Sequence, residues 1–253
     1  MPKIKVRGED MFYAVNRPPE ARGSLVFVHG AGADHSLWVR QMENLPDGFA
    51  GYAVDLPGHG QSGGQPVSDV GEYARAVAEF IRVIDAPRPL YLVGQSMGGA
   101  ITLTVALDTS GVIDGMVLVG AGARMRVAPA LLEALAEGRQ DPAFVRLSFS
   151  PQCDPAMIEE FMASQAEVPV YTFYQDFLAC SVFDVTQRMD EINLPTLIVV
   201  GLDDKMTPVK LANFLHDSIK GSQLATIEKA GHMTMIETPD ELSRIIAEFV
   251  GLS

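Results

Sequence analysis

The chain has 253 residues, 47% of them hydrophobic and 20% charged, which fits one α/β domain or one domain with an insertion. Its formal net charge of −13 argues against nucleic acid or an anionic membrane as the main partner, because both attract basic surfaces. The sequence has no run of about 18 apolar residues, and its N-terminus lacks the apolar stretch of a secretory signal. We therefore expect a cytoplasmic protein.

The two cysteines, Cys153 and Cys180, belong to no Cys-x-x-Cys pair and no histidine-rich cluster. This spacing does not indicate a zinc site. Both cysteines lie in apolar stretches, which predicts buried, reduced thiols. We expect neither a metal ion nor a cofactor.

Strand and helix patterns alternate along the first part of the chain. Residues 3–7 and 11–14 flank a Gly-Glu-Asp turn and predict an N-terminal hairpin. Ser68 is the expected N-cap of a long amphipathic helix. The predicted strands are 25–28, 52–54, 90–93 and 116–119, and the predicted helices are 37–44, 68–84 and 97–107.

The alternation stops between residue 120 and about residue 193, where prolines separate several short helical patterns. It then resumes, with Thr207 and Pro208 as the expected cap and first turn of the next helix. The predicted elements are a strand at 196–200, a helix at 208–215, a strand at 223–227 and a helix at 238–250. Such an order implies a mostly parallel sheet covered on both faces, with a helical insertion at one edge.

The sequence Gly94-Gln95-Ser96-Met97-Gly98 lies between a predicted strand and a predicted helix. Gly-x-Ser-x-Gly in this context is typical of a nucleophile elbow, a turn too tight for side chains at its two glycines. The turn exposes the serine hydroxyl, and the N-terminus of the following helix favours negative charge nearby. Ser96 is therefore the candidate nucleophile.

A serine nucleophile needs a general base, usually histidine. Of the five histidines, His232 lies just past the last predicted strand, at the edge of the sheet where ligands bind. His216 lies within a helix, His59 within a tight turn, and His29 and His35 within the loop after residue 28. These positions favour His232 as the base.

The histidine needs a carboxylate that orients it. The loop after strand 116–119 contains no acidic residue, whereas the loop after strand 196–200 contains Asp203 and Asp204. Spacing leaves the choice between these two open, and the other one is expected to be solvated or to cap a turn.

The chemistry also needs two donors for the oxyanion. One is the backbone N–H of Met97, the residue after the nucleophile. The other should come from the loop after strand 25–28, where Gly30, Ala31 and Gly32 permit close backbone approach.

Together these motifs resemble the α/β-hydrolase superfamily along the whole chain, and the order Ser96, Asp204, His232 matches its order of triad residues. The matching segments are 29–32, 55–62, 94–99, 201–208 and 231–233. The resemblance selects Asp204 as the acid and Ala31 as the second oxyanion donor. It implies a mostly parallel, eight-stranded sheet. The implied divisions are 1–120 and 194–253 for the two parts of the core and 121–193 for a helical cap.

The predicted cap is rich in aromatic residues, which either form an apolar pocket or pack the cap onto the core. We expect packing for more than half of them. The residues predicted to contact substrate are His29, Gly30, His35, Met125 and Met233.

The resemblance is greatest to small bacterial carboxylesterases, which implies a serine hydrolase acting on small to medium, largely apolar esters through an acyl-enzyme. An enol-lactonase or a C–C bond hydrolase of the same fold remains an alternative, as does a slow-turnover ligand receptor. The expected partner is a small-molecule ester, with no nucleic acid or membrane, and the expected state is a monomer or homodimer.

Overall fold

The structure is a computed structural model that describes residues 2–140 and 142–251. Eight strands form one sheet in the order β1-β2-β4-β3-β5-β6-β7-β8, where numbers follow the chain. The strands are β1 Lys3–Val6, β2 Glu9–Asn16, β3 Gly23–Val28, β4 Phe49–Val54, β5 Leu90–Gln95, β6 Gly115–Val119, β7 Thr196–Gly201 and β8 Gln223–Ile227.

Strand β2 pairs antiparallel with both of its neighbours, and all other neighbouring strands are parallel. This confirms the predicted hairpin and the mostly parallel, eight-stranded sheet. Each predicted strand is present, and several extend by one to three residues beyond the predicted ends.

Helices cover both faces of the sheet. They are α1 Val39–Glu43, α2 Val70–Val83, α3 Met97–Asp108, α4 Pro129–Ala136, α5 Pro142–Arg146, α6 Pro155–Ala166, α7 Val170–Val182, α8 Val209–Ser218, α9 Thr234–Glu237 and α10 Pro239–Gly251. Alternate strand residues enter two separate cores: Val26 and Val28 pack with α2 and α3, and Leu25 and Phe27 pack with α1 and α10. The alternation follows from the two-residue period of a strand.

The segment between β6 and β7 contains α4 to α7 and a 3₁₀ helix, Thr186–Glu191. It lies over the C-terminal ends of the strands, because Asp176 on α7 accepts hydrogen bonds from the loops after β3 and β4. This segment coincides with the predicted helical insertion. The division of the chain at residues 120 and 193 stays a prediction.

Local details differ from the predictions. Asp69 caps α2 in place of Ser68, because its carboxylate accepts hydrogen bonds from the N–H groups of Gly71 and Glu72. The predicted helix 37–44 is a 3₁₀ helix, His35–Trp38, followed by α1. The predicted last helix, 238–250, is confirmed as α10, and the short helix α9 before it was not predicted.

The cysteine prediction is correct only in part. Both cysteines are free thiols, and Cys180 is buried, but Cys153 is only half-buried. Burial raises the pKa of both thiols, so both stay protonated at neutral pH.

No helix within residues 2–140 and 142–251 is long and apolar enough to cross a membrane.

Candidate active site

Ser96 lies at the turn between β5 and α3 with φ of 54° and ψ of −115°, a conformation that costs energy for a residue with a side chain. The flanking glycines make the turn possible. A Cβ on Gly94 would lie 2.1 Å from the carbonyl oxygen of Gly98, and one on Gly98 would lie 2.3 Å from that of Val28. The chain therefore has the geometry predicted for a nucleophile elbow.

His232 and Asp204 form a buried pair at the same edge of the sheet. Nδ1 of His232 lies 2.8 Å from Oδ2 of Asp204, and Thr207 adds a hydroxyl 2.8 Å from Oδ2 and 3.1 Å from Nδ1. Oδ1 of Asp204 accepts the backbone N–H groups of Met206 and Thr207. Burial by itself raises the pKa of Asp204, but His232 and these hydrogen bonds outweigh burial and hold the pKa below its ordinary value. The carboxylate is therefore ionised at neutral pH.

This pairing also separates the two candidate acids. Asp203, next to Asp204, is directed away from His232 and accepts a hydrogen bond of 2.6 Å from the hydroxyl of Ser150 in the insertion. Of the two aspartates, Asp204 is the one that is hydrogen-bonded to His232.

A small cavity of about 70 Å³, called here the inner cavity, is lined by both Ser96 and His232. The remaining wall comes mainly from the insertion and from the loop after β3. Its apolar members are Ala31, Ala33, Leu131, Leu135, Phe144, Val145, Phe161, Phe173, Phe177, Met206 and Met233. Among the described residues, Ser96 makes no hydrogen bond to His232. The hydroxyl must turn toward Nε2 before it can transfer a proton, as is common in unliganded sites.

The two predicted oxyanion donors are available. Within the described parts of the chain, the backbone N–H groups of Ala31 and Met97 have no hydrogen-bond acceptor. Ala31 lines the inner cavity, and Met97 is the first residue of α3. Unpaired N–H groups beside a nucleophile are suited to a developing negative charge.

Glu237 holds the loop that carries His232. Its carboxylate accepts hydrogen bonds from the N–H groups of Gly231, Met233 and Ser150. The N–H of His232 itself donates to the carbonyl of Ser148 at 2.7 Å. The histidine is therefore fixed between α9 and the insertion.

The residues predicted to contact substrate are only partly brought together. Met233 lines the inner cavity. Gly30 lies beside it, since a Cβ there would be 3.2 Å from the Cβ of Ser96. Met125 is instead buried in the core below the insertion and does not line the inner cavity.

His29 and His35 also lie outside the wall of the inner cavity. His29 is fully buried between two backbone groups, the carbonyl of Gly30 at Nδ1 and the N–H of Leu56 at Nε2. Burial, followed by the charge of His59, lowers the pKa of His29 to about 4, so the ring is neutral. His35 bonds to Asp55 at 2.7 Å. Both rings are hydrogen-bonded to groups of the core loops, and their predicted contact with substrate stays a prediction.

A second buried His–Asp pair connects the insertion to the core. Asp176 on α7 is fully buried and lies 2.8 Å from Nε2 of His59. It also accepts the hydroxyl of Tyr73 at 2.7 Å and the N–H of Gly32 at 2.8 Å. The sequence places His59 in a tight turn and contains no signal for this long-range contact.

Asp34, His35 and Asp55 are close enough together to hold a metal ion, with donor atoms within 4.8 Å of one another. Here, however, Nδ1 of His35 is hydrogen-bonded to Asp55, which also accepts the N–H groups of His35 and Gln61. The cluster is therefore satisfied internally.

Comparison with known proteins agrees with this geometry. A profile of the alpha/beta hydrolase family matches residues 25–245. The chain belongs to the alpha/beta hydrolase family. It is 29% identical to a pimeloyl-acyl-carrier-protein methyl ester esterase from Neisseria meningitidis, over 92% of this chain and 95% of that protein. It is 26% identical to a monoacylglycerol lipase from Bos taurus, over 97% of this chain and 81% of that protein.

Solved structures give the same result. A thermophilic esterase is 30% identical, with a TM-score of 0.85, and the match covers 99% of this chain and 96% of that one. An enol-lactonase from Burkholderia xenovorans has a TM-score of 0.90 at 18% identity, over 99% and 100% of the two chains, and shares the fold. This alpha/beta hydrolase is of the carboxylesterase type, as the sequence predicted.

Proposed function

We propose that the protein hydrolyses carboxylic esters of small to medium, largely apolar substrates through Ser96, His232 and Asp204. One observation carries this proposal. Ser96, strained at the N-terminus of α3, lines the same cavity as His232, whose other ring nitrogen is bound to the buried carboxylate of Asp204. The esterase and lipase relatives support the reaction type.

The first half of the reaction acylates the enzyme. His232 takes the proton of Ser96 at Nε2, and Oγ attacks the ester carbonyl carbon. The N–H groups of Ala31 and Met97 stabilise the negative oxygen of the tetrahedral intermediate. His232 then gives the proton to the leaving alcohol, which leaves an acyl-enzyme.

The second half releases the acid. Water loses a proton to His232 and attacks the acyl carbonyl, and Ser96 leaves with that proton. Asp204 keeps Nδ1 protonated toward itself, so that Nε2 is free to act as base. No step requires a metal ion or a cofactor.

The insertion determines access to the reacting atoms. Helices α4 to α7 contribute most of the apolar wall of the inner cavity, which supports a role as a cap over the site. An apolar wall with few charged groups favours uncharged esters.

The test is hydrolysis of p-nitrophenyl esters from acetate to laurate by the wild type, by Ser96→Ala and by Ser68→Ala, which alters an exposed serine. We expect sustained turnover in the wild type and in the Ser68 variant and a loss of several orders of magnitude in the Ser96 variant. A fluorophosphonate should label Ser96, as read by mass spectrometry. Turnover that survives Ser96→Ala would contradict the proposal, and a burst without turnover would favour a receptor.

The same assay separates the related reactions. Enol-lactones and vinylogous diketones are offered to the same three proteins. A kcat/KM at least tenfold higher on either class than on any p-nitrophenyl ester would replace ester hydrolysis with lactone or C–C bond hydrolysis.

A further inference from the structure

A second cavity, called here the outer cavity, lies beside the inner one and has a volume of about 500 Å³. The two cavities share Ala33, Phe161 and Gln165 in their walls. Sites for small molecules usually measure about 300–1,000 Å³. The inner cavity, at about 70 Å³, is well below this range, so an ester of medium size needs further space once its carbonyl has reached Ser96.

The wall of the outer cavity is apolar along most of its length. Leu37 comes from the first 3₁₀ helix, Val39 from α1, Met157 from α6, Val168 from the turn after α6, and Met235 and Ile236 from α9. The charged members of the wall are Asp34, Arg40 and Glu160. Val39 and Met157 leave 52% and 40% of their surface exposed. Large exposed apolar groups around a cavity mark a surface that a ligand covers.

Gln165 on α6 provides an independent observation. Only 7% of this residue is exposed, and it lines both cavities. Within the described parts of the chain, its side-chain amide has no hydrogen-bond partner. Among the described residues, the fully buried side-chain atoms without a partner belong to other residues, so this amide reaches the open space of the cavities. An unpaired amide at the junction of two cavities is available to a polar atom of a ligand.

We propose that the outer cavity binds the unbranched alkyl chain of the ester while Gln165 donates a hydrogen bond to a substrate oxygen at the junction. This inference rests on the proposed function, because it places the scissile carbonyl at Ser96. The alkyl chain belongs to either the acyl or the alcohol half of the ester. Both halves present the same methylene groups to the apolar wall.

The expected signature is a dependence on chain length. Each buried methylene should raise kcat/KM about fourfold, until the chain fills the outer cavity. One series varies the acyl chain of p-nitrophenyl esters, and a second varies the alcohol chain of alkyl acetates. The series that shows the rise identifies the half that occupies the outer cavity.

Ser164→Trp places a bulky ring in the outer cavity from α6. The control, Ala163→Trp, places the same ring at the preceding position, which is exposed and lies outside both cavity walls. We expect Ser164→Trp to lower the ratio of kcat/KM for decanoyl over acetyl ester, or for decyl over ethyl acetate, at least tenfold. Ala163→Trp should leave these ratios unchanged. Equal ratios in the two variants and the wild type would overturn the proposal.

A measurement without turnover separates this proposal from the chemistry. In Ser96→Ala, 2-dodecanone should bind more tightly than 2-butanone by calorimetry, and the added Ser164→Trp should remove that difference. If the ketones behave in this way but no ester is hydrolysed, the proposed function fails and the cavity assignment stands. If they bind equally, the cavity assignment fails.

Gln165→Met keeps the length of the side chain and removes its amide. We expect it to raise KM about 2- to 12-fold for esters cleaved by the wild type, the effect of one hydrogen bond, with little change in kcat. An unchanged KM would refute the hydrogen bond to substrate.

Discussion

Two buried His–Asp pairs lie within residues 2–140 and 142–251, and their nitrogen–oxygen distances are equal. His232 with Asp204 and His59 with Asp176 each have nitrogen and oxygen 2.8 Å apart. The second ring nitrogen distinguishes them. His232 lines the inner cavity beside Ser96, whereas His59 bonds through Nδ1 to the carbonyl of Pro57. A buried His–Asp pair is therefore chemically competent only where one nitrogen is left free near a nucleophile.

The two carboxylates differ in the location of their hydrogen-bond partners. Asp204 accepts from Met206 and Thr207, which are close to it in the chain, and from His232. Asp176 joins α7 to Tyr73, to His59 and to the loop of Gly32. In the proposed mechanism the first pair prepares the base, whereas the second connects the insertion to the core.

Replacing the aspartate of each pair by asparagine should give the largest difference in kcat. Asp204→Asn should lower kcat about 10⁴-fold, because an amide donor can hold the histidine in the wrong tautomer. Asp176→Asn should lower kcat far less. Steady-state kinetics on one p-nitrophenyl ester measures both. Similar losses of kcat in the two variants would remove the distinction between the pairs.

Replacement of Asp176 should lower the stability of the protein more than its activity. Asp176→Asn replaces a buried charge that has three donors, and breaking such a pair typically costs about 3–5 kcal/mol. Urea denaturation should show this loss in the unfolding free energy. Tyr73→Phe, which removes one of the three donors, is the graded control and should lose less. Unchanged stability in Asp176→Asn would contradict the fastening role.

The third prediction concerns pH. Burial by itself lowers the pKa of His59, but the charge of Asp176 and the hydrogen bond to it raise the pKa above the ordinary 6.5. Because the folded state holds this proton more tightly than the unfolded state does, His59 stabilises the fold fully below pH 6.5. That stabilisation is lost as the pH rises through the raised value.

The measurement compares the wild type with His59→Gln by urea unfolding from pH 5 to pH 9. The difference in unfolding free energy should shrink as the pH rises. The neighbouring His29, whose pKa is lowered to about 4, has the opposite effect on stability. It destabilises the wild type as the pH falls from 6.5 toward 4. A difference that is independent of pH would show that His59 is not charged in the folded protein.

The smallest effect is expected at Thr207. Thr207→Val removes the hydroxyl that bonds Asp204 but keeps the shape of the side chain, and a hydrogen bond to a charged group contributes about 1.5–3 kcal/mol. We expect kcat to fall about 10- to 100-fold, with KM nearly unchanged. Thr207→Ser retains the hydroxyl and should retain most of the activity. Equal activity of the valine variant and the wild type would exclude a positioning role.

Thr207 also shows how a local pattern can mislead. The sequence Thr-Pro before a helix predicts a cap, but α8 begins after Pro208 without a side-chain cap, and the hydroxyl of Thr207 is bonded within the site. A buried carboxylate competes successfully for the donor because its need for hydrogen bonds is greater than that of an exposed helix end. The second contact of the hydroxyl, with Nδ1 of His232, joins residues 25 positions apart, which local pattern reasoning does not detect.

The placement of the histidines follows the same logic. Residues 29 and 35 follow the strand beside the nucleophile and were predicted to face substrate. Their rings instead satisfy backbone and carboxylate groups of adjacent loops. Position along a strand predicts the edge on which a side chain lies, but the direction of the side chain depends on partners from other loops.

The sequence by itself determined the sheet, the elbow and the order of the candidate catalytic residues. These features follow from local period, from glycine spacing and from the rule that parallel strands bring their C-terminal loops together. Spacing left the choice between two adjacent aspartates open, the resemblance selected Asp204, and the tertiary structure shows its contact with His232. The tertiary structure alone decided how Asp176 connects the insertion to the core and that a large cavity adjoins a small one. Those features depend on contacts between distant segments, whose geometry is set by packing of the whole chain.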